Sequence, residues 1–553
     1  MSSEKTASSS VESTVDETER RAFVYIALPG DGYVPAGILA YLPGPRRYRF
    51  VYGNLYRQRP NAIPLDPVRL PLTIEDEVVF RRDEGLPNAF RDAAPDSWGR
   101  KVLSVYAPRP IATLGEFAIL TAAHDPLRVG ALAFGPDLSG PRSMAPWLES
   151  LPISHKVDDL GRMAHLVRLI DQYTKSDNLK ALRDELHDPI LKAMAFSLTS
   201  LVGGSRPKAF YQDGDGVEWI AKFPQTNDPW NDPRIEYATM NLARKCGVNI
   251  AEIKLEEVDE GVDVLLVRRF DRDDQGTPRH IISGFTLADL PENGDWDSYQ
   301  HLAEATRKYA DPLAGHELFK RMVFNVLCSN RDDHPKQQAF FVSRTGVQLT
   351  PAYDITPAMI RDNDDCYNLA MRCGRFGRQA TLENILSWPE PFGLRKEEAR
   401  EIVSQMLESA RCFRDVFADY GVSATDIEEV SSRFIWAGCQ MPSCTKDSLG
   451  RFGEGQAPTG PEQGGVKMEK WQGAIIQEQQ VKFAVMLVKR SVMDSRIEKE
   501  KALKILAVKM GLPVVLAAKR PDGGLDYWGR KDLTAFLSNY PPESLPWREI
   551  TIN

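Results

Sequence analysis

The feature that most constrains this chain is an ordered run near its middle. Leu318, Phe319, Met322, Val323, Val326 and Leu327 recur at helical spacing and mark a strongly apolar helix. That helix delivers the chain directly into the polar segment Ser329-Asn330-Arg331-Asp332-Asp333-His334-Pro335-Lys336-Gln337. Two short strand-like segments follow, Phe340 to Ser343 and Val347 to Thr350, and read as a hairpin. The hairpin returns the chain to Ala352-Tyr353-Asp354, so that Asp354 lies 22 residues after Asp332. Taken alone, Arg331 to His334 is equally a polar turn between a helix and a strand; the helix before it and the hairpin behind it make it more than that.

An Asp, an amide side chain five residues later and a second Asp beyond a hairpin are the parts of a phosphoryl-transfer site of the protein-kinase kind. In this reading Asp332 accepts the proton of the attacking hydroxyl and Asp354 chelates Mg²⁺ across the nucleotide phosphates. Lys336 neutralises charge on the transferred group, and Gln337 supplies the second, amide ligand. Upstream, Val202 to Lys208 is a glycine-rich loop. Gly203, Gly204, Ser205 and Lys208 place backbone N–H groups and a cation where phosphates would lie, unless the segment is an ordinary turn. Ala209 to Gln212, the turn Asp213-Gly214-Asp215-Gly216 and Val217 to Phe223 read as a hairpin. It ends near Lys222, either the lysine that holds the α- and β-phosphates or a solvent-facing strand residue. Asp232 with Pro233 behind it starts a helix and Gly247 stops it, with Ile235, Ala238, Leu242 and Cys246 as the buried stripe. Glu236 on that helix is either the ion-pair partner of Lys222 or an exposed helix residue. His334 has no second His or Cys at ligand spacing, which favours bracing of the loop over metal binding. There is no HExxH, GxSxG or CxxC, so hydrolase and zinc chemistries have no residues to stand on.

Composition bounds the rest. The 553 residues leave room for roughly three or four domain-sized units. A hydrophobic share of 42% with 26% charged residues is that of an ordinary soluble protein. No apolar run approaches the ~18 residues of a membrane span, and Met1 to Arg21 lacks the apolar core of a signal peptide. Seven scattered cysteines without paired spacing fit reduced thiols, and together these features predict a cytoplasmic protein. A net charge of −8 exerts no global pull toward nucleic acid. The predicted organisation is a disordered tail over 1–21, a β-rich subdomain over 22–147, and a kinase-like catalytic region over 148–441. Within that region a small lobe spans about 195–270 and a helical lobe about 285–441; a Gly/Pro/Ser-rich linker over 442–465 and a small α/β domain over 466–553 follow.

Five motifs, in order, resemble the HipA-like serine/threonine kinases, toxin components of bacterial toxin–antitoxin pairs. They are Phe90 to Arg100, Gly203 to Lys208, Arg269-Phe270-Asp271-Arg272, Asn330 to His334 and Leu349 to Asp354. The resemblance covers roughly residues 22 to 440. It implies an α+β, protein-kinase-like bilobal fold behind a β-rich N-terminal subdomain. It also implies ATP and Mg²⁺ dependence, autophosphorylation, and phosphorylation of a protein serine, with an aminoacyl-tRNA synthetase as a known target class. A small DNA-binding antitoxin is the implied partner, DNA being reached only through it, with no membrane involved. By position, Lys222 matches the nucleotide lysine, Arg268 and Phe270 the adenine hinge, Asp271 a nucleotide contact, Asp332 the base and Asp354 the metal ligand. Two positions depart from the pattern. Gln337 stands where the family usually has Asn, and Leu201 where the autophosphorylated serine normally lies, with Ser200 and Ser205 as its neighbours. These departures keep open a weakened pseudokinase that regulates by binding an antitoxin or DNA complex. An unrelated small-molecule kinase would leave the Phe90 to Arg100 motif unexplained. Residues 466–553 lie outside the resemblance and carry no catalytic motif.

Overall fold

The computed structural model describes residues 19–43, 47–80, 85–123, 128–148, 159–175, 181–182, 206–258, 261–290, 298–358 and 367–435. In the last part of the chain it describes 469–478, 481–488, 490–494, 513–520, 524–537 and 545–552, with a few single positions between them. The chain divides into two compact units, Met1–Cys444 and Thr445–Asn553.

The first unit begins with a five-stranded antiparallel sheet of order β4-β3-β2-β1-β5, from β1 (Arg20–Leu28), β2 (Gly32–Leu42), β3 (Arg47–Tyr52), β4 (Val78–Val79) and β5 (Leu132–Gly135). Val24, Ile26, Phe50 and Phe134 bury one face together with Phe90. At Gly37 a Cβ would stand 2.3 Å from the Val51 carbonyl oxygen, so β2 and β3 can approach this closely only around a glycine.

A second antiparallel sheet, β6-β7-β9-β8, comprises β6 (Lys208–Gln212), β7 (Glu218–Lys222), β8 (Ile253–Val258) and β9 (Val262–Arg268). The β6–β7 turn is the one the sequence predicts: Asp213 Oδ1 accepts from the Asp215 and Val217 N–H groups, and Gly216 takes φ +82°. The helix Asp232–Lys245 follows, with Pro233 in its first turn. Its cap falls one residue earlier than expected, because the Asn231 side chain accepts from the Arg234 N–H. Ile235, Ala238, Leu242 and Cys246 are buried, and Gly247 leaves the helix at φ +81°.

The third sheet, β10-β11-β12, joins β10 (Ile281–Ser283) to the predicted hairpin β11 (Ala339–Val342) and β12 (Val347–Leu349). Around it pack the helices Tyr299–Tyr309, Leu313–Leu327 and Lys396–Ala410 over the largest apolar core. Arg321 is buried on the central helix and donates to Gln338 Oε1 at 2.8 Å and to the Thr350 carbonyl at 2.5 Å. This one guanidinium clamps both flanks of the hairpin to the helix that precedes it, which fixes where Gln337 and Asp354 arrive.

The N-terminal part is built into the same unit. Trp98, on the helix Ser97–Tyr106, is fully buried among Ala209, Trp219 and Ala221, and its Nε1 donates to the Lys208 carbonyl at 2.9 Å. Asp92 accepts from the Ser283 N–H and Oγ at 2.7 Å and from Thr286 Oγ1 at 2.6 Å. Asp92, at one end of the Phe90 to Arg100 motif, therefore holds the third sheet, and Trp98, at the other, the second.

The second unit is a five-stranded sheet, β16-β15-β14-β13-β17, from β13 (Glu469–Glu478), β14 (Val481–Leu487), β15 (Val514–Lys519), β16 (Leu525–Trp528) and β17 (Trp547–Ile552). Its β14–β15 pair is parallel and the others antiparallel. Among the described residues no helix is long and apolar enough to cross a membrane.

Candidate active site

Lys222 closes β7, paired in register with Lys208 on one side and Leu265 on the other. Its Nζ donates to Glu236 Oε1 at 2.5 Å and also to Asp354 Oδ1. Two carboxylates thus share one ammonium, and the electrostatics follow from that count. Burial opposes charge on Lys222, but Asp354 and Glu236 together raise its pKa. Burial likewise opposes charge on Asp354, yet Lys222, Lys208 and the Gln337 amide hold it well below the usual carboxylate range. Glu236 is left short of positive charge: burial pushes it up to about 7, against the pull of Lys222. Of the two readings of Glu236, the ion pair with Lys222 is the one the structure adopts, and the Lys222 side chain turns into this cluster rather than to solvent.

The loop after the central helix separates its two aspartates. Ser329 takes φ +57° and its Oγ donates to the Arg433 carbonyl, while Asn330 Oδ1 accepts from the Asp332 N–H at 3.1 Å. Asp332 then points outward, its side chain 71% exposed, with His334 Nε2 3.6 Å away. Crowding by the surrounding protein raises its pKa, with His334 pulling the other way. Asp333 turns inward and is fully buried; its Oδ1 accepts from the Ala370 N–H at 2.6 Å, and burial pushes it up to about 7. One carboxylate is available to a substrate and its neighbour ties the loop to the segment around Ala370. A short 3₁₀ turn, Pro335–Gln337, brings Gln337 Nε2 to Asp354 Oδ2 at 2.5 Å. Asp354 itself has φ +60°, a left-handed conformation that Asp tolerates better than most residues.

Beside this polar cluster lies an apolar cavity of about 70 Å³ between the second and third sheets. Ile220, Val267, Phe270, Ile282, Ala339 and Tyr353 line it, and Lys222, Lys336 and Gln337 stand along it. Phe270, which the resemblance gives as part of the adenine hinge, is among the residues lining this cavity. Arg268 is not part of this lining: it ends β9 half-exposed and pairs with Glu252 at 2.9 Å and Asp274 at 3.1 Å. The next residue, Arg269, lines the cavity instead and is buried. Asp271 lines it too, but its carboxylate is already committed. It accepts from Arg269 at 2.8 and 3.0 Å, from Arg272 at 2.9 Å and from the Gly130 N–H at 2.8 Å. In the folded chain Asp271 braces the cavity wall. Lys208 is also buried rather than open to the cleft, and burial lowers its pKa against the pull of Asp96 and Asp354. Asp92, which no single-motif reading singles out, lines the cavity through its bonds to Ser283 and Thr286. Its signal in the sequence was membership of the Phe90 to Arg100 motif. Gly203, Gly204, Ser205 and Ser200 lie outside the described residues.

The donor set at Asp354 suits Mg²⁺. It offers a carboxylate and an amide oxygen, hard ligands to a hard cation, and Gln337 engages Asp354 through its nitrogen, leaving Oε1 for a metal. Among the described residues no cluster of three or more His, Cys, Asp or Glu forms an all-protein cage.

Residues 200–412 match the HipA-like C-terminal domain. The serine/threonine-protein kinase toxin HipA of Shewanella oneidensis is 28% identical over 142 residues, 22% of this chain and 33% of that protein. The protein Y4dM of Sinorhizobium fredii is 28% identical over 188 residues, 32% of this chain and 45% of that protein. The chain thus spans less than half the length of each of these two relatives. In fold it is similar to HipA as solved in the Shewanella oneidensis MR-1 complex of HipA, HipB and operator DNA. The TM-score there is 0.50 at 19% identity, over 74% of this chain and 94% of that one. The cluster around Lys222, Asp332 and Asp354 lies within the residues that match the HipA-like C-terminal domain, and the chain has an α+β, kinase-like fold similar to that of HipA.

Proposed function

We propose that this chain is an ATP- and Mg²⁺-dependent serine/threonine protein kinase of the HipA toxin type. The observation that carries the reading is the convergence of Lys222, Glu236 and Asp354, with an outward-facing Asp332 a few residues from Gln337. Lys222 would exchange its bond to Asp354 for nucleotide phosphate while Glu236 keeps it oriented. Asp354 and Gln337 would hold Mg²⁺, which when bound neutralises charge on the phosphates. The substrate hydroxyl oxygen attacks the γ-phosphorus, its proton passes to Asp332, and the bond to the β–γ bridging oxygen breaks to release ADP. The raised pKa of Asp332 suits it to that proton. Lys336, beside the same cavity, would balance charge on the transferred group.

The acceptor in this reading is a serine or threonine of a bacterial protein, with an aminoacyl-tRNA synthetase the first to try, and of the chain itself at Ser200 or Ser205. A small DNA-binding antitoxin is the proposed partner, supported by the fold shared with the HipA of a HipA–HipB–DNA complex. The proposed setting is the bacterial cytoplasm. One observation favours a second reading. Gln337 meets Asp354 directly, and a ligand pair bonded to each other suits nucleotide binding without turnover.

Incubation with Mg²⁺ and γ-labelled ATP, with Asp332→Asn in parallel, separates the two. Label on protein from the parent but not from the variant supports the kinase. Nucleotide binding with no label from either sinks it in favour of the binding reading.

A further inference from the structure

The helix Leu313–Leu327 hands the chain to the loop of Asp332, and a line of buried side chains runs back from that loop into the helical core. The Asp332 N–H donates to Asn330 Oδ1 at 3.1 Å, Asn330 Nδ2 donates to Asn325 Oδ1 at 3.1 Å, and Asn325 Nδ2 donates to the Tyr299 hydroxyl at 2.9 Å. Asn325 and Asn330 are each 3% exposed and Tyr299 is fully buried, so these links are shielded from bulk water. Every link runs in one direction. A backbone N–H can only donate, which turns Asn330 Oδ1 toward Asp332 and its Nδ2 toward Asn325; the same logic turns Asn325 Nδ2 toward Tyr299. The tyrosine hydroxyl is the acceptor on which the series ends, and without it a buried amide N–H is left unmet.

The other aspartate of the loop is tied to the same tyrosine. Asp333 Oδ1 accepts from the Ala370 N–H at 2.6 Å, and two residues further on the Arg372 carbonyl accepts from the Tyr299 N–H at 2.9 Å. Tyr299 is the first residue of its helix, so its N–H has no intrahelical partner and is available to that carbonyl. Its ring belongs to the largest apolar core, which anchors the hydroxyl. The loop has bonds of its own besides. The Asn330 N–H donates to the Asn325 carbonyl at 2.9 Å and Ser329 Oγ to the Arg433 carbonyl, and both hold the backbone whether or not the Tyr299 hydroxyl is present. What the hydroxyl adds is the orientation of the two amides and, through them, of the Asp332 N–H.

We propose that Tyr299 and Asn325 are positioning residues for Asp332: the series of hydrogen bonds from the Tyr299 hydroxyl fixes the backbone from which the outward carboxylate projects. Neither residue lines the nucleotide cavity. The proposal rests on the kinase reading for the proton that Asp332 accepts, whereas the fixing of its backbone is measurable without turnover. With the series broken, the Asp332 backbone has more than one setting, and the protein loses alignment in the transition state rather than affinity for ATP.

The measurement is hydrogen–deuterium exchange on the full chain, resolved at the Asp332 N–H by peptide fragmentation, with phosphoryl transfer from γ-labelled ATP to dephosphorylated casein on the same samples. Tyr299→Phe keeps the ring and removes the hydroxyl; Asn325→Leu keeps the volume and breaks the series one link closer. Tyr56→Phe is the matched control, since that hydroxyl lies in the N-terminal part, on a side chain 1% exposed, and donates to the Ile63 carbonyl at 2.6 Å. In Tyr299→Phe and Asn325→Leu the Asp332 N–H exchanges about three- to tenfold faster, the weight of one buried hydrogen bond. Transfer falls with it, kcat dropping on the order of 10- to 100-fold while KM for ATP stays as in the parent. Tyr56→Phe lowers the unfolding midpoint but moves neither reading. An Asp332 N–H that exchanges at the parent rate in Tyr299→Phe overturns the proposal. So does exchange that quickens equally throughout the first unit, which marks a loss of stability alone, or a KM for ATP that rises while kcat stands. A parent that transfers no label removes the kinase reading alone, and the exchange comparison still decides the positioning.

Discussion

Replacing Lys222 with methionine tests the electrostatic logic of the site independently of catalysis. In the parent, one buried ammonium serves two carboxylates, and Glu236 is pushed up from 4.5 to about 7. A carboxyl whose folded pKa is raised binds its proton more tightly folded than unfolded. Its stabilising contribution is therefore present at low pH and lost as pH climbs from 4.5 to about 7. At 1.36 kcal/mol per pH unit that loss is on the order of 3 kcal/mol, complete above pH 7 in the parent. Lys222→Met strips the remaining positive charge from Glu236, so its pKa rises further and the loss continues above pH 7. The gap between parent and variant should then widen by up to about 1.4 kcal/mol between pH 7 and pH 8. To this is added the loss at Asp354, whose depressed pKa depends on the same ammonium. Breaking a buried ion pair by removing one partner costs about 3–5 kcal/mol, which sets the total expected at pH 8. Urea unfolding followed by tryptophan fluorescence, with Trp98 and Trp219 buried close to the site, reads this as a midpoint lowered by about 1 M. Equal midpoints at pH 8, or a gap that does not change between pH 6.5 and 8, would refute the reasoning.

Two further outcomes concern the cavity wall. Asp271→Asn leaves Arg269 and Arg272 buried without their carboxylate and should cost about 3–5 kcal/mol at pH 7. Asp271 is held at about 2, burial being overcome by the two arginines, so its stabilisation is present above 3.8 and lost as pH falls through 2. The difference in thermal midpoint should accordingly shrink below pH 4; an unchanged midpoint with weakened ATP binding would restore Asp271 as a nucleotide contact. Trp98→Ala empties a fully buried site beside Trp219 and removes the bond to the Lys208 carbonyl, for about 3–5 kcal/mol. Because β6 then loses its brace, nucleotide affinity should fall together with the thermal midpoint; calorimetric titration that finds affinity intact would show the N-terminal part to be a passive appendage.

Much of the site was legible because its signals are local. The Asp213 to Gly216 turn, Pro233 in a first helical turn and the apolar spacing before Ser329 each act within a few residues, and the hairpins and helices formed where those signals stand. The order of Lys222, Asp332, Gln337 and Asp354 along the chain was likewise readable, since it depends on sequence alone. What the sequence left open were choices between neighbours and between faces. Arg268 and Arg269 differ in chemistry not at all, yet one ends a strand in solvent and the other lines the cavity. Asp332 and Asp333 diverge because Asn330 holds the first outward while Ala370, 37 residues further on, captures the second. Asp271 became a brace because Arg269, Arg272 and the distant Gly130 fill its lone pairs. Glu236 became a partner because only the folded sheet brings helix and strand to 2.5 Å. Propensity and pattern act over one turn or one hairpin, and so they determine which elements form. Which lone pair is filled, and which ammonium must serve two carboxylates, is settled by groups far apart in the chain and therefore only by the tertiary structure.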